Sequence, residues 1–299
     1  MYQQHFHLTA APFSLTPDTR FFCQAPPQHD ALTMVMQCLL QGEGFIKIVG
    51  EVGTGKTLLC RRLLTALVDT DFVTAYLPNP LMSAVELPRM LARELGLPVT
   101  LDAHTLQEHL LQHFIAIHQQ HKSVVLIIDE AQAMPDETLE ALRLLTNLET
   151  ETHKLLHVIL LGQPELDSKL AAYSLRQLHQ RIAFSYYLKP FALDETAAYI
   201  QHRLIIAGHT YGALFNHQAV RAIHQYSGGL PRIINILAHK ALLVAYSHDL
   251  AQVNRLCVKQ AIADTPRHRC LKPSGLLAYC RRLFKKSKNY FKRNAEQMQ

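Results

Sequence analysis

Short apolar runs and stretches of helical period alternate along the first two-thirds of the chain. A Pro-punctuated lead-in (Pro12, Pro17, Pro26, Pro27) passes into a helical stretch over 28–40. The run Phe45-Ile46-Lys47-Ile48-Val49 follows, bounded by Gly44 and Gly50, and a helical pattern begins at Gly55. Strand-like 72–77 precedes helical 84–95 and 105–120, and strand-like 124–128 precedes helical 136–148. Strand-like 157–161 precedes a further helical run, and 182–188 is the last strand. Runs 46–49, 124–128 and 158–161 read as apolar on both faces, as buried central strands are. Such alternation predicts an α/β protein with a parallel sheet flanked by helices on both faces. Beyond Pro190 no strand signal remains, and 194–207, 217–226, 231–247 and 255–263 read as helices. The expected organisation is a lead-in (1–42), an α/β core (43–190), a small all-helical domain (191–266) and a tail (267–299).

Composition narrows the class. The chain has 299 residues, 48% apolar and 18% charged, with 12 Gly and 14 Pro, which excludes disordered, collagenous and coiled-coil proteins. No apolar run approaches the ~18 residues that span a bilayer. The N-terminus has no basic segment followed by an apolar one, so no secretory signal is read and the cytoplasm is expected. Six cysteines lack a C-x-x-C pair and read as free thiols, mostly filling core. His109 and His113 sit one helical turn apart with no third ligand at suitable spacing, which favours a solvated helix face over a metal site. From Thr265 onward, ten Lys and Arg face one acid, Glu296, so the net charge of +6 belongs to the tail.

Gly50-Glu51-Val52-Gly53-Thr54-Gly55-Lys56-Thr57 matches G-x-x-x-x-G-K-[ST], with a strand before it and a helix after. The glycines permit backbone angles that turn N–H groups inward around phosphate oxygens. Lys56 supplies a point charge to the β and γ phosphates, the Thr57 hydroxyl a ligand for Mg²⁺, and the helix start a positive dipole end. The expected nucleotide-binding set is Gly50 through Thr57, with Leu58 and Arg232. Asp129-Glu130 closes the apolar run 124–128. Carboxylates at the end of a buried parallel strand face the ligand crevice, Asp129 as a second Mg²⁺ holder and Glu130 polarising the attacking water. The cofactors implied are ATP and Mg²⁺. Gln163 follows the strand 157–161, where its side chain can orient that water. Arg176 and Arg181 precede the last strand, where either can project into a neighbouring subunit's site as an arginine finger. Arg232, in Gly228-Gly229-Leu230-Pro231-Arg232, opens a helix that can reach back over the nucleotide.

In this order the features resemble the AAA+ ATPases over roughly residues 28–265. More narrowly, the chain looks like the general secretion pathway protein A group, on its MSHA-type pilus side. The signs are His5-Phe6, Pro12-Phe13-Ser14-Leu15-Thr16-Pro17-Asp18, GEVGTGKT from Gly50, LRLLTNLET from Leu142, GQPEL from Gly162, Gln180-Arg181-Ile182 and GLPRIIN from Gly229. The resemblance implies a self-oligomerising assembly factor, peripheral on the inner membrane, whose partner is a type IV pilus or type II secretion component. Some relatives continue into a membrane span and a peptidoglycan-binding domain. Neither is read here, which favours the short pilus-associated form.

In the tail, Leu276, Cys280, Leu283, Phe284, Tyr290 and Phe291 share one side of a helical projection of 274–293, and Arg281, Arg282, Lys285, Lys286, Lys288 and Lys292 fill much of the rest. A basic amphipathic helix can lie on an anionic membrane surface. Packing on the helical domain and binding of nucleic acid are the rivals. The competing function is a DNA-bound AAA+ ATPase, a transposition target selector or helicase loader, although no helix-turn-helix follows the helical domain. A nucleotide-dependent scaffold with negligible turnover is the third.

Overall fold

The computed structural model describes residues 2–16, 18–23, 25–99, 102–147 and 154–265. The tail segment 274–293, with Cys270 and Cys280, lies outside them. Helices are α1 Tyr2–His5, α2 Pro26–Leu40, α3 Lys56–Ala66, α4 Glu86–Glu94, α5 Ala103–Gln119, α6 Asp136–Leu145, α7 Glu165–Leu170, α8 Arg176–Arg181, α9 Leu193–Ile206, α10 His217–Ser227, α11 Pro231–Ser247 and α12 Arg255–Ala263. Strands are β1 Phe45–Gly50, β2 Phe72–Leu77, β3 Ser123–Ile128, β4 Leu156–Gly162 and β5 Ile182–Leu188. Among the described residues no helix is long and apolar enough to cross a membrane.

All five strands run parallel in the order β2-β3-β4-β1-β5. Alternate strand residues point to opposite faces, and the burial follows that period. Phe45, Val49, Leu126, Ile128, Val158 and Leu160 join one cluster, completed by side chains of α4, α5 and α6. Ile46, Ile48, Val125, Ile127, Ile159 and Leu161 join a second, completed by α2 and α3. Lys47 breaks the apolar reading of 46–49. It is 6% exposed, and its ammonium lies 2.5 Å from Asp167 on α7. A buried ammonium must be paired, and α7 supplies the carboxylate.

A third cluster belongs to α9–α12. Asn216 caps α10 by accepting from the Ala219 N–H at 2.8 Å. The first twenty-five residues add Phe6, Leu8, Phe13, Phe21 and Ala25 to this cluster. Thr9 N–H donates to Ala207 O at 2.8 Å and a His209 ring nitrogen meets Phe6 O at 3.2 Å. The lead-in therefore divides physically: its first half packs with the C-terminal helices, and α2 packs on the sheet.

Candidate nucleotide site

The strand order decides what can meet. β4 lies between β3 and β1, and the register pairs Val49 with Gly162 and Ile128 with Leu160. The segments after β1, β4 and β3 thus leave the sheet side by side at its C-terminal edge. They carry the Gly50–Thr57 loop, Gln163 and Asp129-Glu130.

The loop turns through Gly53 at φ 84° and Gly55 at φ 98°, a region open to glycine at little steric cost. Thr54 Oγ1 donates to Glu51 O at 2.8 Å and braces the turn. Lys56 is 5% exposed. Its Nζ donates to Gly50 O at 2.8 Å and Glu51 O at 3.2 Å. Burial pushes the ammonium below its ordinary pKa, against the opposing pull of Glu130, Asp129 and Glu51. Thr57 Oγ1 donates to Asp129 Oδ2 at 2.8 Å. Asp129, 2% exposed, also accepts from the Glu130 N–H at 2.9 Å. Burial raises its carboxyl, and the Thr57 hydrogen bond opposes the rise. The Thr57 hydroxyl and the Asp129 carboxylate, 2.8 Å apart, are two hard oxygen donors that fit Mg²⁺.

Glu130 stands at φ 53°, a conformation uncommon outside glycine. Its Oε2 accepts from Gln163 Nε2 at 2.8 Å and from Gln132 Nε2 at 2.5 Å. Gln132 Oε1 accepts from the Gln163 N–H at 3.0 Å, and Lys169 Nζ holds Gln132 O and Met134 O. The sequence reading missed Gln132; its position two residues past Glu130 was the available signal.

The helical region closes over the loop. The Arg232 N–H donates to Gly53 O at 3.2 Å, and a Cβ on Gly53 would stand 2.8 Å from Arg232 Cβ. Pro231 starts α11 without an N–H, so Arg232 carries the first free amide of that helix. Upstream, Gly229 lies at φ 79°, and a Cβ there would fall 2.0 Å from Phe191 O.

The resulting cleft, about 370 Å³, is lined by Val52, Gly53, Gly55, Lys56, Thr57, Leu58, Glu130, Gln163 and Arg232 from the expected set. Gly50, Glu51, Thr54 and Asp129 are not among its lining residues. Ser14, Leu15, Thr16, Asp18, Tyr199, Arg203 and Asn235 also line it; none was anticipated as a site residue. Arg176 and Arg181 do not reach this cleft. Arg181 Nη1 lies 3.5 Å from Arg143 O and 3.4 Å from Thr146 Oγ1, and Arg176 stacks 4.1 Å from the exposed Tyr173 ring.

Known proteins share this fold. Residues 39–170 match the AAA domain family. General secretion pathway protein A of Aeromonas hydrophila is 39% identical over 249 residues, which is 83% of this chain and 45% of that protein. The chain thus matches less than half the length of that relative. Cdc6p from Pyrobaculum aerophilum superposes with a TM-score of 0.65 at 15% identity, covering 85% of this chain and 70% of that one. The Aeropyrum pernix ORC2 protein gives 0.61 at 18% identity, covering 85% and 71%. At such identities the two structures speak for the fold alone. The fold, the loop and the relatives coincide: the chain has an AAA+ P-loop core whose residues 39–170 match the AAA domain family, and most of its length is similar to part of general secretion pathway protein A.

Proposed function

We propose that the chain is an Mg²⁺-dependent ATPase that assembles or remodels a type II secretion or MSHA-type pilus machine at the inner membrane, working as a self-oligomer. The convergence of Lys56, Thr57, Glu130, Gln163 and Arg232 in one cleft carries the proposal. Lys56 exchanges its two carbonyl partners for phosphate oxygens, which receive its charge in a buried setting. Thr57 and Asp129 hold Mg²⁺, which neutralises phosphate charge. Glu130 accepts a proton from the attacking water, Gln163 orients it, and Arg232 contacts the nucleotide from the helical side. Arg181, or its competitor Arg176, serves a neighbouring subunit. Residues 43–190 act as the core and 191–266 as a lid that moves with the nucleotide cycle. The secretion context rests on similarity to part of a longer protein, and the basic segment 274–293 is the proposed membrane contact.

The test is Mg·ATP hydrolysis by the full chain and by residues 1–266, each alone, with anionic vesicles and with duplex DNA. Stimulation by vesicles that disappears with the tail supports the membrane-docked reading. Stimulation by DNA without response to vesicles transfers the protein to the DNA-remodelling class. A Lys56→Ala protein that still binds ATP as the wild type does removes the site assignment.

A further inference from the structure

Arg203 is 4% exposed, yet its guanidinium has no carboxylate among the ion pairs of the described residues. Asp18 feels its charge, but both oxygens of Asp18 accept from Arg20. Arg203 instead spends its donors on neutral oxygens: Pro12 O at 2.5 Å, Tyr199 OH at 2.8 Å and Ser14 O at 3.4 Å. Its Cζ lies over the rings of Phe21 and Tyr199, 4.9 and 5.6 Å from their centroids. Tyr199 OH passes the chain on to Asn235 Oδ1 at 3.0 Å. Burying an uncompensated cation is costly, and this one lines the cleft. Next to the carbonyls that it holds stands Leu15, 55% exposed, which lines the cleft together with a 54% exposed Val52. Two bare aliphatic side chains at the edge of a phosphate site suit the flat apolar face of a nucleobase.

We infer that Arg203 is a positioning residue for the base end of the cleft: by tying the carbonyls of Pro12 and Ser14 to α9 it sets Leu15 and Thr16 against the nucleobase. The inference rests on the nucleotide-site reading above. Arginine is required because three oxygens and two aromatic faces are met at once by one planar, five-donor group; a lysine ammonium is a single point charge.

The test compares Mg·ATP with Mg·tripolyphosphate, which has the phosphates and no base, by calorimetry on the full chain. Arg203→Met should weaken ATP about tenfold and leave tripolyphosphate within about twofold, with KM raised and kcat at saturation within about threefold of wild type. Arg203→Lys should recover only part of the ATP affinity. Equal losses for both ligands, no loss for ATP, or full recovery by lysine would each overturn the inference. Tyr199→Phe keeps the ring while removing the hydroxyl, and decides the matter should the methionine protein fail to fold. A loss of about threefold for ATP alone is expected, and an unchanged ATP affinity counts against the role. A wild-type chain that binds neither ligand removes the nucleotide site itself, and this inference with it.

Discussion

Gln163 and Gln132 meet on a single oxygen: both side-chain amides donate to Oε2 of Glu130, at 2.8 and 2.5 Å, while Gln132 Oε1 accepts from the Gln163 N–H. The carboxylate proposed as the base is thus aimed by two amides. Gln163→Ala should lower kcat about 10- to 100-fold with KM within about threefold, because the lost interaction matters mainly in the transition state. Gln132→Ala should fall by a similar factor. Since the two act on one group, the double variant should lie within about threefold of the worse single one. Full additivity of the two losses would show independent roles.

Thr57 and Asp129 form the proposed Mg²⁺ pair. In Asp129→Asn the affinity for ATP measured with a chelator should stay within about threefold of wild type, while the gain on adding Mg²⁺ disappears, because an amide supplies no negative charge to the cation. Calorimetric titration with and without Mg²⁺ reads this directly. A full Mg²⁺ gain in the variant would remove Asp129 from the metal.

The two arginines before β5 lie outside their own chain's cleft, so a role for them needs a second subunit. Arg181→Ala should bind ATP normally and lose at least about tenfold in concentration-dependent turnover. Mixing it with Glu130→Gln should restore part of the rate, since each subunit brings what the other lacks. Mixtures as inactive as their components would leave Arg176 as the candidate.

Glycine positions separate strain from collision. Gly96→Ala, at φ 72° with open space around it, should cost about 1 kcal/mol from the left-handed backbone alone. Gly229→Ala adds a Cβ 2.0 Å from Phe191 O and should cost more than about 3 kcal/mol, since backbone must move. Gly53→Ala pushes against Arg232 Cβ and should weaken ATP about tenfold, by forcing α11 off the loop. Urea unfolding and nucleotide titration check each.

His157 is 3% exposed, with Nδ1 2.7 Å from Glu43 O. Burial holds its pKa below the ordinary 6.5. The unfolded chain therefore binds the proton more readily, and stability is full above pH 6.5 and lost as pH falls below it. Urea midpoints at pH 7.5 and 5.5 should show a smaller loss in His157→Gln than in wild type. Equal losses would assign the acid sensitivity elsewhere.

Strand positions and the phosphate loop were legible because both are local: an apolar run with a glycine boundary, and eight consecutive residues whose types have separate tasks. Gln163 and Glu130 were legible as strand-end residues, although their hydrogen bond spans 33 positions. Gln132 escaped although it stands two residues past Glu130, because a side-chain amide just past a strand end has no periodicity to show where it points. Arg203 escaped for a stronger reason: its partner Pro12 lies 191 positions away, and a charged residue on a helix ordinarily reads as a solvated one. Lys47, inside an apparently apolar strand, finds its carboxylate 120 positions downstream. Separation of this size leaves no periodic trace. The lead-in read as one segment, whereas Phe6 and Phe13 joined the last helices and Val35 and Leu39 joined the sheet.

The return of β5 to the side of β1 also bears on synthesis. β1 is finished at Gly50, but its neighbours begin only at Leu156 and Ile182. At ~5–20 residues per second on a ribosome, the wait for β5 is on the order of ten seconds. Throughout it, the nascent β1 keeps open hydrogen-bonding groups that a neighbouring polysome's chain could satisfy instead. Slow translation before Ile182 would lengthen that exposure, and a chaperone acting on this protein would have its work concentrated there.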